Sequence, residues 1–139
     1  MLEIVVEDEV GVVVGALGRQ RLRAGRYLYI GSAQRALAAR LERHFRRRKK
    51  KRWHIDYLTA ARGVRVDGVL VWERGRAAEC KIAREVGRIW STPIVGFGAS
   101  DCKCQAHLVG PVPEDWKGEI EATVGTADAT IAGNDTRQR

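Results

Sequence analysis

RYLYIGS, residues 26–32, is the stretch from which the fold can be read. Arg26 to Ile30 is rich in aromatic and branched residues, as a strand requires, and Gly31 stops it. Ser32 is a favourable N-cap for a helix. The residues that follow, AQRALAARLERHF (33–45), repeat Leu37, Leu41 and Phe45 at a spacing of four, which gives one apolar stripe. Arg40 and His44 share a face beside that stripe. The expectation is a strand that turns through Gly-Ser directly into an amphipathic helix. Tyr27 and Tyr29 then point to one face of the strand, and the helix N-terminus is favourable for phosphate.

Working outward, LEIVV (2–6) and VGVVV (10–14) read as strands separated by the acidic turn Glu7–Glu9. HIDYLTAAR (54–62) reads as a second helix with Gly63 beyond its end. VRVDGVLVWE (64–73) reads as strand, with Asp67–Gly68 a turn or bulge. A third helix is expected from about Ala77 to Ile89, with Ala78, Ile82, Val86 and Ile89 inward. Residues 105–110 return as a short strand. Beyond Pro113 the pattern fades, and the last fifteen residues are small and polar. The order β, β, α, α, β, α predicts an α/β or α+β fold with a small central antiparallel sheet flanked by helices. Its domain spans 1–110, with a peripheral C-terminal extension over 111–139.

The length of 139 residues suits one domain with a modest core. No apolar run approaches the roughly 20 residues that span a bilayer. The stretch MLEIVVEDEV carries Glu3, Glu7, Asp8 and Glu9 and fits neither a signal nor a transit peptide. A cytoplasmic location is the expectation. Lys and Arg total 25 against 17 acids, a net charge of +8. The excess is concentrated in Arg46, Arg47, Arg48, Lys49, Lys50, Lys51 and Arg52. Such a block suits a polyanionic partner, because each neutralised phosphate releases condensed counterions. Nucleic acid is the expected partner; a membrane surface or a solubilising loop is the rival reading. Heavy use of Arg, Glu and Val also suits a thermophile.

Several ordered motifs carry a resemblance: Tyr29-Ile30-Gly31-Ser32-Ala33, Arg40, Arg43-His44-Phe45, Trp53-His54-Ile55-Asp56-Tyr57-Leu58, Glu79-Cys80, and Phe97-Gly98 followed by Ser100-Asp101-Cys102-Lys103-Cys104. Across residues 2–108 the chain resembles the GIY-YIG nuclease superfamily, in particular a mostly archaeal branch of it. The resemblance implies an endonuclease that hydrolyses phosphodiester bonds in DNA with Mg²⁺ or Mn²⁺, in repair rather than restriction. It makes Tyr29 the active-site tyrosine of the second triplet, Arg40 the phosphate-binding arginine and Glu79 the metal ligand. One carboxylate with waters and phosphate is an ordinary way to hold Mg²⁺. An arginine fork engages two phosphate oxygens and stays charged. His44 and His54 are candidates for proton exchange or orientation near neutral pH. Each residue also has a plainer reading. Glu79 suits a helix first turn, Arg40 a solvated helix surface, and the histidines, Trp53 and Tyr57 the core.

The chain departs from the family at the first triplet. Gly-Ile-Tyr is absent, and Tyr27 is the first tyrosine in the sequence. A second catalytic tyrosine is then missing or replaced, with Tyr27 the candidate substitute. This leaves a second function in view, a non-catalytic nucleic-acid-binding module of the same fold. A third is a zinc-stabilised interaction protein. Cys80, Cys102, Cys104 and His107 make a Cys₃His set of the kind zinc takes. Cys-x-Cys, however, is tighter than the usual zinc spacing. Buried small residues or a disulfide are the favoured roles for these thiols.

Overall fold

The computed structural model describes residues 1–32, 37–75 and 77–133. In chain order the described elements are β1 (Leu2–Val6), β2 (Val10–Val13), β3 (Arg19–Leu22), β4 (Gly25–Tyr29), α1 (Leu37–Phe45), α2 (His54–Thr59), β5 (Val64–Val71), α3 (Ala78–Gly87), β6 (Leu108–Val109), α4 (Trp116–Val124) and β7 (Ala129–Ala132). The fold is mixed α and β, an antiparallel five-stranded sheet with helices on both faces. The cap at Ser32 and the start of the helix after it fall on 33–36, outside the described residues.

β1 is the central strand. Leu2, Ile4 and Val6 are buried while Glu3 and Val5 are not, the period of two that a pleated strand imposes. It pairs with β4 on one side and β5 on the other, and the sheet order is β6-β4-β1-β5-β7. The register against β5 slips between Glu3, opposite Gly68, and Ile4, opposite Val66. Asp67 is the extra residue, a bulge where the sequence predicted one. Its carboxylate accepts from Arg26 at 3.0 Å and Arg65 at 3.2 Å. β2 and β3 form a separate antiparallel ribbon.

The two faces of the sheet carry two cores. On one, Leu2, Ile4, Val6, Tyr27, Val64 and Val66 pack with Ile55 and Leu58 of α2, Phe97, and the half-buried Leu41 and Phe45 of α1. On the other, Leu28 and Ile30 pack with Ile82, Ala83 and Val86 of α3 and Trp116, Ile120 and Val124 of α4. Residues 111–133 are therefore integral to the fold and not a peripheral extension. α4 supplies three buried side chains to one core, and β7 pairs with β5 along Gly68–Val71. Residues 134–139 lie outside the described residues. No helix among the described residues is long and apolar enough to cross a membrane.

Candidate active site and metal cluster

Three strand ends meet at one rim of the sheet. Leu2 of β1 lies between Tyr29 of β4 and Val69 of β5. α1 packs on one face and α3 on the other, and both reach round this rim. An open cleft of about 950 Å³ lies between them. Tyr29, Arg40, His44, His54 and Glu79 all line it, together with Trp53, Gly98, Ser100 and Asp101. The cleft is at the sheet's end, because the helices bearing Arg40 and Glu79 belong to opposite layers.

Tyr29 is held by its neighbours on both edges. Its ring meets Phe97 edge-on at 6.0 Å. A Cβ at Gly31 would come within 3.0 Å of Tyr29 Cε2, and one at Gly98 within 3.0 Å of Cε1 and 3.1 Å of His107 Cβ. Gly98 also has φ +72, which disfavours any side chain. Burial pushes the Tyr29 hydroxyl well above the ordinary phenol range. The carboxylates of Glu79, Asp56 and Asp101 add to this and Arg40 opposes it. The group stays protonated at neutral pH, so its hydroxyl is available as a hydrogen-bond donor.

Arg40 Nη1 donates to the Ser32 carbonyl at 2.8 Å. The half-exposed Trp53 ring is bracketed by the guanidinium carbons of Arg40 at 5.0 Å and Arg43 at 4.6 Å. Arg43 is fixed by Asp56, which accepts from it at 2.9 and 2.7 Å and from the backbone N–H of Arg52 and Trp53 at 2.8 and 2.9 Å. Burial opposes the Asp56 charge. The hydrogen bonds from Arg43, Trp53 and Arg52 outweigh it and hold the carboxyl below its usual range. His54 Nδ1 accepts the Gly98 N–H at 2.8 Å, so a neutral ring carries its proton on Nε2. His44 is pushed down to about 4, first by burial and then by Lys49, with Arg43 and Arg40 adding and Asp56 opposing. It is uncharged at neutral pH.

Tyr27 does not join this group. It is 1% exposed in the core, and its hydroxyl donates to the Arg23 carbonyl at 2.7 Å. It shares a strand face with Tyr29, but two residues of strand separate them by roughly 7 Å along the chain direction.

The basic run divides. Arg47 Nη2 donates to the Val64 carbonyl at 3.3 Å, and Lys49 Nζ donates to the carbonyls of Arg43 and His44 and to Thr59 Oγ1 at 2.6 Å. Burial pushes Lys49 down to about 8, Asp56 opposing. Its ammonium closes the C-terminal end of α1. Arg46, Arg48, Lys50, Lys51 and Arg52 carry the run outward, and Arg52 reaches the cleft. If these five meet phosphate, Gln at Arg46, Arg48, Lys50 and Lys51 is expected to weaken binding to all DNA sequences alike. A plot of log affinity against log salt should flatten by about one unit for each phosphate no longer neutralised. An unchanged slope in a filter-binding titration would place the duplex elsewhere.

Behind Glu79 lies a second cluster. Cys80 on α3, Cys102 and Cys104 on the loop before β6, and His107 bring their ligating atoms within 4.8 Å of one another, and could bind a metal. The three thiols are free, so the disulfide reading does not hold here. Sequence spacing understates this grouping because the loop folds back on itself. Gly96 N–H donates to the Gln105 carbonyl and His107 N–H to the Phe97 carbonyl, each at 2.7 Å. His107 Nδ1 sits 3.0 Å from Glu79 Oε2 and 3.1 Å from the Ile30 carbonyl. Two acceptors fix the proton on Nδ1 and leave Nε2 facing Cys102 Sγ at 3.5 Å and Cys80 Sγ at 3.9 Å. Burial opposes a charge on His107, but Glu79 and the thiols of Cys104 and Cys102 together outweigh it and the ring is pushed up to about 9.

Sequence reasoning named the cleft's charged groups and missed Gly98, Ser100 and Asp101 as its wall. Their signal was the PIVGFGASDCKC loop itself, where glycines sit beside the cysteines. The sequence profile of the family described as "Domain of unknown function DUF123" matches residues 1–127. No curated protein and no solved structure matches the chain.

Proposed function

The chain belongs to the DUF123 family, and we propose that it is a metal-dependent endonuclease of GIY-YIG type that hydrolyses phosphodiester bonds in DNA. The observation that carries this reading is the convergence of Tyr29, Arg40, His44, His54 and Glu79 on one cleft from four separate elements. The outward half of the basic run adjoins the cleft through Arg52.

The donor set fits Mg²⁺ or Mn²⁺. Glu79 and Asp101 offer hard carboxylate oxygens on the same wall. A carboxylate has lone pairs on both oxygens, enough to serve His107 and a cation together. When bound there, such an ion stabilises charge on the reacting phosphate. The remaining work falls to side chains. Arg40 neutralises a non-bridging phosphate oxygen with a charge present before and during reaction. The Tyr29 hydroxyl, protonated and clamped, orients the attacking water. His54 presents Nε2–H to a developing oxyanion or leaving oxygen, and uncharged His44 leaves the cleft's positive field to the arginines. The thiol-rich cluster is wrong for Mg²⁺ and suits zinc.

A specific observation favours a second reading, that of a binding module. Tyr29 is the one tyrosine lining the cleft among the described residues. A cleavage panel decides between the two: single-stranded, duplex, branched and RNA substrates, with and without Mg²⁺ or Mn²⁺. Metal-dependent cutting of a DNA substrate is expected. Tight binding with no cutting of any substrate would establish the module instead.

A further inference from the structure

We infer that Cys80, Cys102, Cys104 and His107 hold a zinc ion that fixes the wall of the cleft, and that Glu79 is the residue positioning the zinc-binding histidine. The ligating atoms lie within 4.8 Å of one another, close to the size of a tetrahedral zinc site. With Zn–S near 2.3 Å and Zn–N near 2.0–2.1 Å, a sulfur and a nitrogen on one tetrahedron lie about 3.6 Å apart. The Sγ to Nε2 separations are 3.5 Å for Cys102 and 3.9 Å for Cys80. A disulfide would take two of the thiols and leave the third and the imidazole unexplained. Zinc uses all four.

Histidine ligands of metals characteristically donate their other ring N–H to a carboxylate or carbonyl, which sets the tautomer and the ring plane. His107 has both acceptors on Nδ1, Glu79 at 3.0 Å and the Ile30 carbonyl at 3.1 Å. Its Nε2 is thereby aimed at the thiols. On binding, Zn²⁺ forms bonds to three sulfurs and one nitrogen. The three thiol protons, and the Nε2 proton wherever His107 is charged, pass to solvent, so affinity rises with pH.

The position of the site gives it a job. Residues 88–107, all of them described, contain no regular strand or long helix, yet they supply Gly98, Ser100 and Asp101 to the cleft. The zinc would tie this loop to α3 through Cys80 and to the sheet through His107, whose N–H and C=O bond Phe97 and Ile30. Gly98, wedged between Tyr29 and His107, transmits that anchoring to the Tyr29 ring. Glu79 thus touches both the zinc site and the cleft.

The inference stands beside the nuclease reading, and its test needs no substrate, so the failure of one is separable from the failure of the other. Purified chain is analysed for metal by mass spectrometry, and its affinity for Zn²⁺ is measured by competition with a chromogenic chelator. One zinc per chain is expected, and Co²⁺ in its place should show thiolate charge-transfer absorption that Cys102→Ser loses. Glu79→Gln, which keeps shape but weakens the acceptor, should bind zinc 10–100-fold more weakly. Should Cys102→Ser fail to fold, chelator stripping of wild type followed by Zn²⁺ gives the same information. The near-ultraviolet circular dichroism of Tyr29 and its neighbours should be lost and recovered. Wild type that stays folded with no zinc and no cobalt–thiolate bands overturns the site, and an unchanged affinity in Glu79→Gln overturns the positioning role.

Discussion

Arg40→Ala is expected to lose DNA binding and cleavage together, while Glu79→Ala loses Mg²⁺-dependent cleavage and keeps binding. The difference follows from what each group meets. On the proposed reading Arg40 faces phosphate in both the bound and the reacting state, so its removal should weaken affinity by about 10–100-fold, the worth of a charged hydrogen bond. It costs further rate where charge builds up, on the order of 10²-fold. On the same reading Glu79 meets a cation and not the substrate, so its loss should fall on the rate alone. Because Glu79 also holds His107, the comparison is made with zinc saturating. Tyr29→Phe keeps the ring between Gly31 and Gly98 and removes only the hydroxyl, so binding survives and rate falls. Single-turnover cleavage beside fluorescence anisotropy measures all three variants. Cleavage that persists in Glu79→Ala would assign the activity to another site or another protein.

Asp56→Ala is expected to be the most destabilising single change away from the cleft. The carboxylate is fully buried and receives four hydrogen bonds, two from Arg43 and two from backbone N–H groups at the start of α2. Removing it strands a largely buried guanidinium, at about 3–5 kcal/mol. For a domain of this size that is a fall in Tm on the order of 10 °C. The change also frees Arg43, which braces Trp53, so DNA binding should weaken at temperatures where the variant is still folded. Urea unfolding of the two proteins checks the value, and a difference below about 1 kcal/mol, the worth of an ordinary hydrogen bond, would show that Asp56 is not the hub described.

The stretch around RYLYIGS was legible because its periods are clean. The strand is dense in aromatic and branched residues, the glycine stops it, and Arg40 and His44 fall beside an apolar stripe. β3 was not legible, because RQRL exposes its two arginines and buries only Leu22. Its partner β2 supplies the backbone bonds that its side chains do not advertise. α4 did carry a signal, Trp116, Ile120 and Val124 at a spacing of four after Pro113, obscured by the small and acidic residues between them. β7 shows no hydrophobic period because all four of its residues are exposed at the sheet's edge. In the site, residue types announced the charged groups. The approach of Cys80 to Cys102 and Cys104, and the separation of Tyr27 from Tyr29, depend on how a loop and a strand end are placed in space, which spacing along the chain does not encode.

The sheet order also sets how the chain is assembled as it leaves the ribosome. β1 emerges before every other described strand and occupies the middle, so the sheet grows outward from it. β4 covers one edge first and β5 the other, and each newly exposed edge waits for a strand made later. The final edges are blunt, a two-residue β6 on one side and a four-residue β7 on the other. Short borders offer few free backbone groups to a passing chain. A nascent chain halted before residue 108 would present the whole edge of β4, with Tyr29 on it, to its neighbours. β6 thus shields the cleft tyrosine from intermolecular pairing as well as completing the sheet on that side.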